Sequence, residues 1–300
     1  MNLYTHRSSN IFKTWLLFTL FFGIVIGIGW FFSMVYGDAS ILMIAVTFSV
    51  IMSVASYWYS DKIVLGLARA KPADMRSHPE LYRVVENLAI TAGLPMPKLF
   101  IVDEKAPNAF ATGRDANHAV VAVTEGLLER LDRSELEGVI AHELSHIGNR
   151  DMLVSTAAVV LVGFISLAAD FFMRSLWFRS FSGGGDRDRG GNAIILIAGV
   201  AGAILLPLAA MLIQLAISRK REFLADASGA LLTRYPDGLA SALQKIAADP
   251  TPLRSAHSAT AHLWLSNPFK GKQKTSFIYK LFLTHPPVEE RVAALRGIKL

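Results

Sequence analysis

The chain has 300 residues, 52% of them hydrophobic, with 30 Lys+Arg against 24 Asp+Glu and a formal net charge of +6. Its mean hydropathy of +0.39 is too high for an ordinary soluble protein, so a membrane protein is the first expectation. With no cysteine, disulfides, thiolate metal sites and a cysteine nucleophile are excluded, and any metal falls to His, Asp or Glu.

Two apolar runs open the chain, residues 15–36 and 41–59, separated by Gly37-Asp38-Ala39-Ser40. Each is long enough to cross a hydrocarbon core of about 30 Å as a helix, and together they predict a transmembrane hairpin. Arg7 and Lys13 before an apolar run also fit a cleaved signal peptide, but the length of that run and the second run close behind it disfavour cleavage. Basic residues flank the pair on both outer sides: Arg7 and Lys13 before it, Lys62, Arg69, Lys71 and Arg76 after it. The turn holds only Asp38, so the positive-inside rule puts both flanks in the cytoplasm. This placement accounts for the positive charge without nucleic acid, since no patch interleaves Lys and Arg with aromatics.

From about residue 63 the composition becomes that of a soluble fold. An amphipathic helix is predicted over Pro79–Ala92, stopped by Gly93 and Pro95. Segments 98–103, 108–112 and 118–123 are rich in Val, Ile, Phe or Ala and predict a small sheet, with a turn at 113–117. A further helix opens near Leu131, capped by Asp132 with Glu135 or by Ser134 with Glu137; the pattern does not choose between them. Leu136, Ile140, Leu144 and Ile147 then fall on one stripe, the face expected in the core.

Two more apolar runs follow, 152–169 and 193–217, separated by a Gly- and Arg-rich loop at 174–192. Arg219-Lys220-Arg221 closes the second run and places that end in the cytoplasm, which favours a second membrane hairpin over a pair of buried helices. The segment 222–232 reads as a helix, and the rest of the chain is soluble in character. The expected organisation is a membrane hairpin at 1–62, the first part of a soluble domain at 63–151, a second membrane hairpin at 152–217 and the second part of that domain at 218–300.

The predicted helix at 131–147 contains His142-Glu143-Leu144-Ser145-His146. Histidines at i and i+4 lie one turn apart on one side of a helix and can aim both rings at one ion, a geometry that suits zinc. Glu143 projects from the adjacent stripe, where it can act as a general base without ligating the ion. A catalytic zinc needs a third protein ligand. The metzincin pattern is excluded, because Asn149 and Met152 stand where it needs Gly and His. Glu222 on the downstream helix can supply the ligand, and Asp226 one turn on can accept a hydrogen bond from a ligating histidine. A carboxylate opening a helix is equally explained by the helix dipole. An intramembrane protease with Asp237 as third ligand is a rival, but the charged residues just before His142 make a bilayer location costly and Tyr235-Pro236-Asp237-Gly238 reads as an ordinary turn. His118 is explained by its strand, and His6, His78, His257 and His262 have no ligand spacing. No Gly-rich phosphate loop is present, so no nucleotide is expected.

The His-Glu-Leu-Ser-His run, the later Arg-Glu-Phe-Leu-Ala-Asp-Ala-Ser-Gly-Ala and Thr284-His285-Pro286-Pro287 with Arg291 together resemble the HtpX family of bacterial membrane metalloproteases, whose larger relatives are the CAAX prenyl proteases. The resemblance extends over essentially the whole chain. It implies an α+β fold: a predominantly helical zincin-type domain with a glutamate third ligand and a small β-sheet, plus about four transmembrane helices. It also implies one Zn²⁺ per subunit on His142, His146 and Glu222, Glu143 as base, and His285 and Arg291 facing the site. On the residues alone His285 reads as a helix-opening residue before Pro-Pro. The segment containing Asn108, Ala109 and Phe110 looks like the edge strand to which such proteases add an extended peptide. The implied activity is cleavage of misfolded or damaged membrane proteins at the cytoplasmic face of the bacterial inner membrane, with polypeptide substrates and the lipid bilayer as partners. A prenyl-protein protease and a non-enzymatic membrane adaptor with a degenerate metal site are the competing readings.

Overall fold

The computed structural model describes residues 3–161, 219–255, 260–269 and 286–298. Most of the second expected membrane hairpin, the loop at 174–192 and His285 therefore lie outside the described residues.

Two long helices form first, α1 (Leu3–Tyr36) and α2 (Ala39–Leu67), packed along one another. Asp38 opens α2 by accepting a hydrogen bond from the Ser40 N–H at 2.9 Å. Only 22% of the most apolar window of α1 and 11% of that of α2 are buried inside the protein. Trp30, Met34, Met43, Ile44 and Ile51 face outward. A core helix of a soluble protein would cover such residues, so lipid is their natural surrounding. Both helices run past their apolar stretches, and the extensions are buried again: Asn10 and Thr14 on α1, Val64 and Leu65 on α2.

Four short strands make a mixed sheet in the order β1 (Lys71–Pro72), β2 (Lys98–Val102), β4 (Val120–Thr124), β3 (Ala109–Thr112). The β2–β4 pair is parallel and the two outer pairs antiparallel. Helix α3 (Pro79–Ala92), bounded as its sequence predicts, lies before β2. Strand side chains alternate between faces. Leu99, Ile101, Val121 and Val123 enter a core with α3 and the later helices, whereas Val102, Phe110, Val120 and Ala122 enter another with Leu17, Phe18 and Phe21 of α1. The α1–α2 hairpin is therefore packed onto one face of the sheet and is no detached element.

After the short α4 (Glu125–Arg130) comes α5 (Arg133–Gly148), which carries both motif histidines. The first of the two capping patterns is the one formed: Asp132 accepts from the Glu135 N–H at 3.0 Å while Glu135 accepts from the Asp132 N–H at 2.9 Å. Glu135 also receives Ser241 Oγ at 2.6 Å and Lys245 Nζ at 2.7 Å, tying α5 to a helix a hundred residues on. The stripe Leu136, Ile140, Leu144 and Ile147 is buried, as its spacing requires. A helix α6 (Asp151–Leu161) follows almost at once.

Beyond the undescribed segment come α7 (Arg219–Thr233), α8 (Pro236–Ala248) and α9 (Val288–Arg296). Two glycines let α7 and α8 press against α5. A Cβ on Gly229 would lie 3.0 Å from His142 N, and one on Gly138 would lie 2.6 Å from Leu239 N. Two expectations are corrected here. Pro236-Asp237-Gly238 is no free turn but the opening of α8, Pro suiting the first helical turn. His118 is not on a strand; it closes a short 3₁₀ turn, bonded to Asp115 at 2.8 Å.

Candidate metal centre

Helix α5 aims the Nε2 atoms of His142 and His146 at each other, 3.1 Å apart. Helix α7 brings in Glu222, with Oε2 3.9 Å from His142 Nε2 and Oε1 3.6 Å from His146 Nε2. Among the described residues these three make the cluster able to hold a metal ion, with donor atoms all within 4.8 Å. Two neutral-imidazole nitrogens and a carboxylate are a donor set that zinc accepts, and so the residues fit a divalent ion of that kind.

The other ring nitrogen of each histidine is bonded to a carboxylate. His142 Nδ1 donates to Asp226 at 2.9 Å, and His146 Nδ1 donates to Asp151 at 3.1 Å. Such partners fix the tautomer that leaves Nε2 free for metal. Arg291 grips Asp226 with two hydrogen bonds, Nε at 2.8 Å and Nη2 at 2.6 Å, and donates Nη1 to the Leu265 carbonyl at 3.2 Å. Burial pushes the Asp226 carboxyl up, but the bonds from Arg291 and His142 outweigh it and hold the group below the ordinary carboxylate range. His142, wholly enclosed, is pulled down by burial against the pull of Asp226.

Glu143 is 2% exposed. Burial, helped by the negative charge of Glu222, pushes its carboxyl up to about 7, although His146, Arg291 and the donating Ala111 N–H work the other way. His146 behaves oppositely: burial disfavours its charged form, yet the Asp151 bond and the charges of Glu222, Asp151 and Glu143 raise it to about 9. A buried carboxyl held above its ordinary range in the metal-free protein, beside a cluster able to ligate a metal, marks a candidate for proton transfer.

The cluster faces a small cavity of about 40 Å³, lined by Ala111, Glu143, His262, Leu263 and Leu265 besides the three ligand residues. That is room for an ion and a little water. The cover is the segment 261–266, and it also occupies the sheet edge. The Leu265 N–H donates to the Ala109 carbonyl at 2.9 Å, Asn108 exchanges hydrogen bonds with the Ser266 backbone, and Phe110 stacks edge-on against Trp264 at 4.7 Å. The structure thus places Asn108, Ala109 and Phe110 beside the site but engaged, and it is Ala111 that reaches the cavity.

The sequence alone missed Asp151 and His262. An acid five residues after the second histidine, just past a helix end, was a usable signal for Asp151. His262 had none. Arg221 departs from the sequence expectation too: it is 7% exposed and turned inward, whereas Arg219 and Lys220 are exposed. Asp237 lies outside the cluster with its side chain 66% exposed, which removes the observation behind the intramembrane rival.

Comparison with known proteins supplies the family. The description "Peptidase family M48" matches residues 75–299. The chain belongs to that family. As an M48 peptidase it is a metal-dependent enzyme that hydrolyses peptide bonds, which sets aside the adaptor reading. It is 49% identical over 291 residues to a "Protease HtpX homolog" of Pyrococcus furiosus, covering 96% of each chain. It is 44% identical over 302 residues to another from Caldanaerobacter subterraneus subsp. tengcongensis, covering 99% of this chain and 98% of that one. The crystal structure of Ste24p from S. mikatae shares the fold with a TM-score of 0.51 at 20% identity, covering 94% of this chain and 66% of that one. With its two outward-facing apolar helices, this M48 peptidase is a membrane metalloprotease.

Proposed function

We propose that this membrane metalloprotease is a zinc endopeptidase that cuts misfolded or damaged membrane proteins at the cytoplasmic face of the bacterial plasma (inner) membrane. The observation that carries the reading is the convergence of His142, His146 and Glu222 around one point, with Glu143 buried beside them.

In this reading one zinc per chain is held by His142, His146 and Glu222 in a zincin-like arrangement, and when bound it supplies Lewis acidity toward water and the scissile carbonyl. Glu143 takes the proton of the attacking water and passes it to the leaving amine. Asp226 keeps the Nδ1 proton on His142, and Arg291 acts by holding Asp226 rather than by touching the carbonyl. His285 is then the group proposed to hydrogen-bond the developing oxyanion. The substrate adds to β3 as an extended strand, making the kind of bond that the Leu265 N–H now makes to Ala109.

The proposed topology is multi-pass, with about four spans and both termini cytoplasmic. The chain divides into hairpin 1–62, catalytic part 63–151, hairpin 152–217 and catalytic part 218–300. Two features support a membrane boundary at this level of α2: Tyr57, Trp58 and Tyr59 form an aromatic group at the end of its apolar stretch, before Lys62, and Arg114 stacks over Trp58 at 4.5 Å.

Wild type and Glu143→Gln, purified in detergent, test the reading through zinc content and cleavage of an unfolded protein. Equal zinc with activity lower by about 10²-fold or more in the variant is expected. Equal activity in both would overturn it.

A further inference from the structure

Helix α5 ends at Gly148, and the chain must turn sharply before α6 begins at Asp151. It does so through Arg150, a non-glycine residue at φ 57. This left-handed conformation is unfavourable for a residue with a Cβ, and it persists only when the surroundings impose it. The turn swings the Asp151 carboxylate back to His146 Nδ1. Asp151 orients a ligand, so whatever fixes this turn also fixes the ligand.

The fixing group comes from α1. Asn10, 3% exposed, directs its amide nitrogen at both the Asn149 carbonyl, 3.1 Å away, and the Asp151 carboxylate. Its amide oxygen accepts from Arg221 Nη1 at 3.4 Å, and Arg221 Nε in turn lies 3.8 Å from Asp151. Arg221 is the residue before Glu222. One buried amide therefore touches the chain just after His146 and just before Glu222, joining the two stretches that carry the ligands. A buried amide satisfied on both its nitrogen and its oxygen resists displacement, because moving it would strand polar groups away from water.

We infer that Asn10 is a positioning residue of the metal centre, acting through Asp151 on His146, so that the first membrane helix is a structural part of the metal site. The inference rests on the ligand set proposed above.

Full-length protein in detergent tests it by zinc affinity, measured in competition with a chelator, and by the visible absorption of the cobalt-loaded form, which reports ligand geometry. Loss of an outer partner of a metal-bound histidine weakens metal binding by about 10–100-fold, and Asn10 acts one bond further out, so about a 5- to 10-fold loss is expected for Asn10→Ala with an altered cobalt spectrum. Asn10→Asp keeps the size and the acceptor while removing the donor, and it should lose at least as much if Asn10→Ala fails to accumulate. Because the effect runs through Asp151, Asn10→Ala added to Asp151→Asn should change affinity by less than about twofold. Thr14→Val, one turn along α1, should leave affinity unchanged. His146→Ala separates the two claims. If it leaves zinc affinity intact, the ligand set is wrong; if it abolishes binding while both Asn10 variants bind as wild type, or if the Asn10 and Asp151 losses simply add, the role of Asn10 is overturned.

Discussion

Replacing Arg291 with Met keeps most of the side chain's length and removes its charge. Arg291 is 1% exposed and its partner Asp226 is 2% exposed, so water cannot take over the lost bonds. The variant leaves Asp226 with His142 Nδ1 at 2.9 Å, removes the donors at 2.6 and 2.8 Å, and deprives the Leu265 carbonyl of its donor. Stranding one member of a buried ion pair costs about 3–5 kcal/mol, a large share of a typical domain stability of about 5–15 kcal/mol. Denaturant unfolding of metal-free protein in micelles, followed by circular dichroism, measures it. The sign with pH is fixed as well. Arg291 helps hold the Asp226 carboxyl below its ordinary value, so without it burial raises that value, and the deficit should shrink as pH falls and Asp226 takes up a proton. Arg291→Met with Asp226→Asn removes the stranded charge and should recover most of the loss. A single variant costing less than about 1 kcal/mol, or a double variant no better than the single, would refute the reasoning.

Gly229→Ala puts a methyl 3.0 Å from His142 N, so α7 must retreat by a few tenths of an ångström and carry Glu222 with it. We expect overpacking to cost about 1–3 kcal/mol, with weaker zinc binding measured against a chelator; unchanged affinity would show that the helix contact does not set the ligand spacing. In metal-free protein His146 is protonated up to about 9, and metal must displace that proton. Zinc affinity should therefore rise about tenfold per pH unit from 7 to 9 and flatten above; a flat profile over that range would contradict it. Since that value is raised from 6.5, the group's contribution to metal-free stability is complete below 6.5 and fades as pH rises through about 9, visible as a falling melting temperature.

What the sequence reveals of this protein is what depends on local spacing. The i, i+4 histidines, the capped amphipathic α5 and the helix over Pro79–Ala92 follow from periodicity and lie where their patterns put them, while the strands, read from their Val, Ile and Phe content, form with the last one starting two residues later than expected. Glu222 and Asp226 were legible as two acids one turn apart on a later helix. What joins them was not. Arg291 reaches Asp226 from a third helix, Asn10 reaches Asp151 from a membrane helix, and Ser241 and Lys245 complete the cap of α5. These are side chains meeting across long sequence distances, and no periodicity encodes them. Pro236-Asp237-Gly238 misled for the opposite reason: turn-forming residues also begin helices, and only the packing of α8 on α5 decides. Arg221 misled because a basic cluster at the end of an apolar run satisfies the topology rule while one of its members turns inward.

The order in which the site's parts occur along the chain has a consequence for biosynthesis. The histidines leave the ribosome first, Glu222 and Asp226 follow, and Arg291 comes after all of them. Until Arg291 emerges, Asp226 lacks the partner that makes its burial tolerable, and α9, which helps close the core over α8, has not been made. The pocket around Asp226 can therefore close only once the last of these helices has been made.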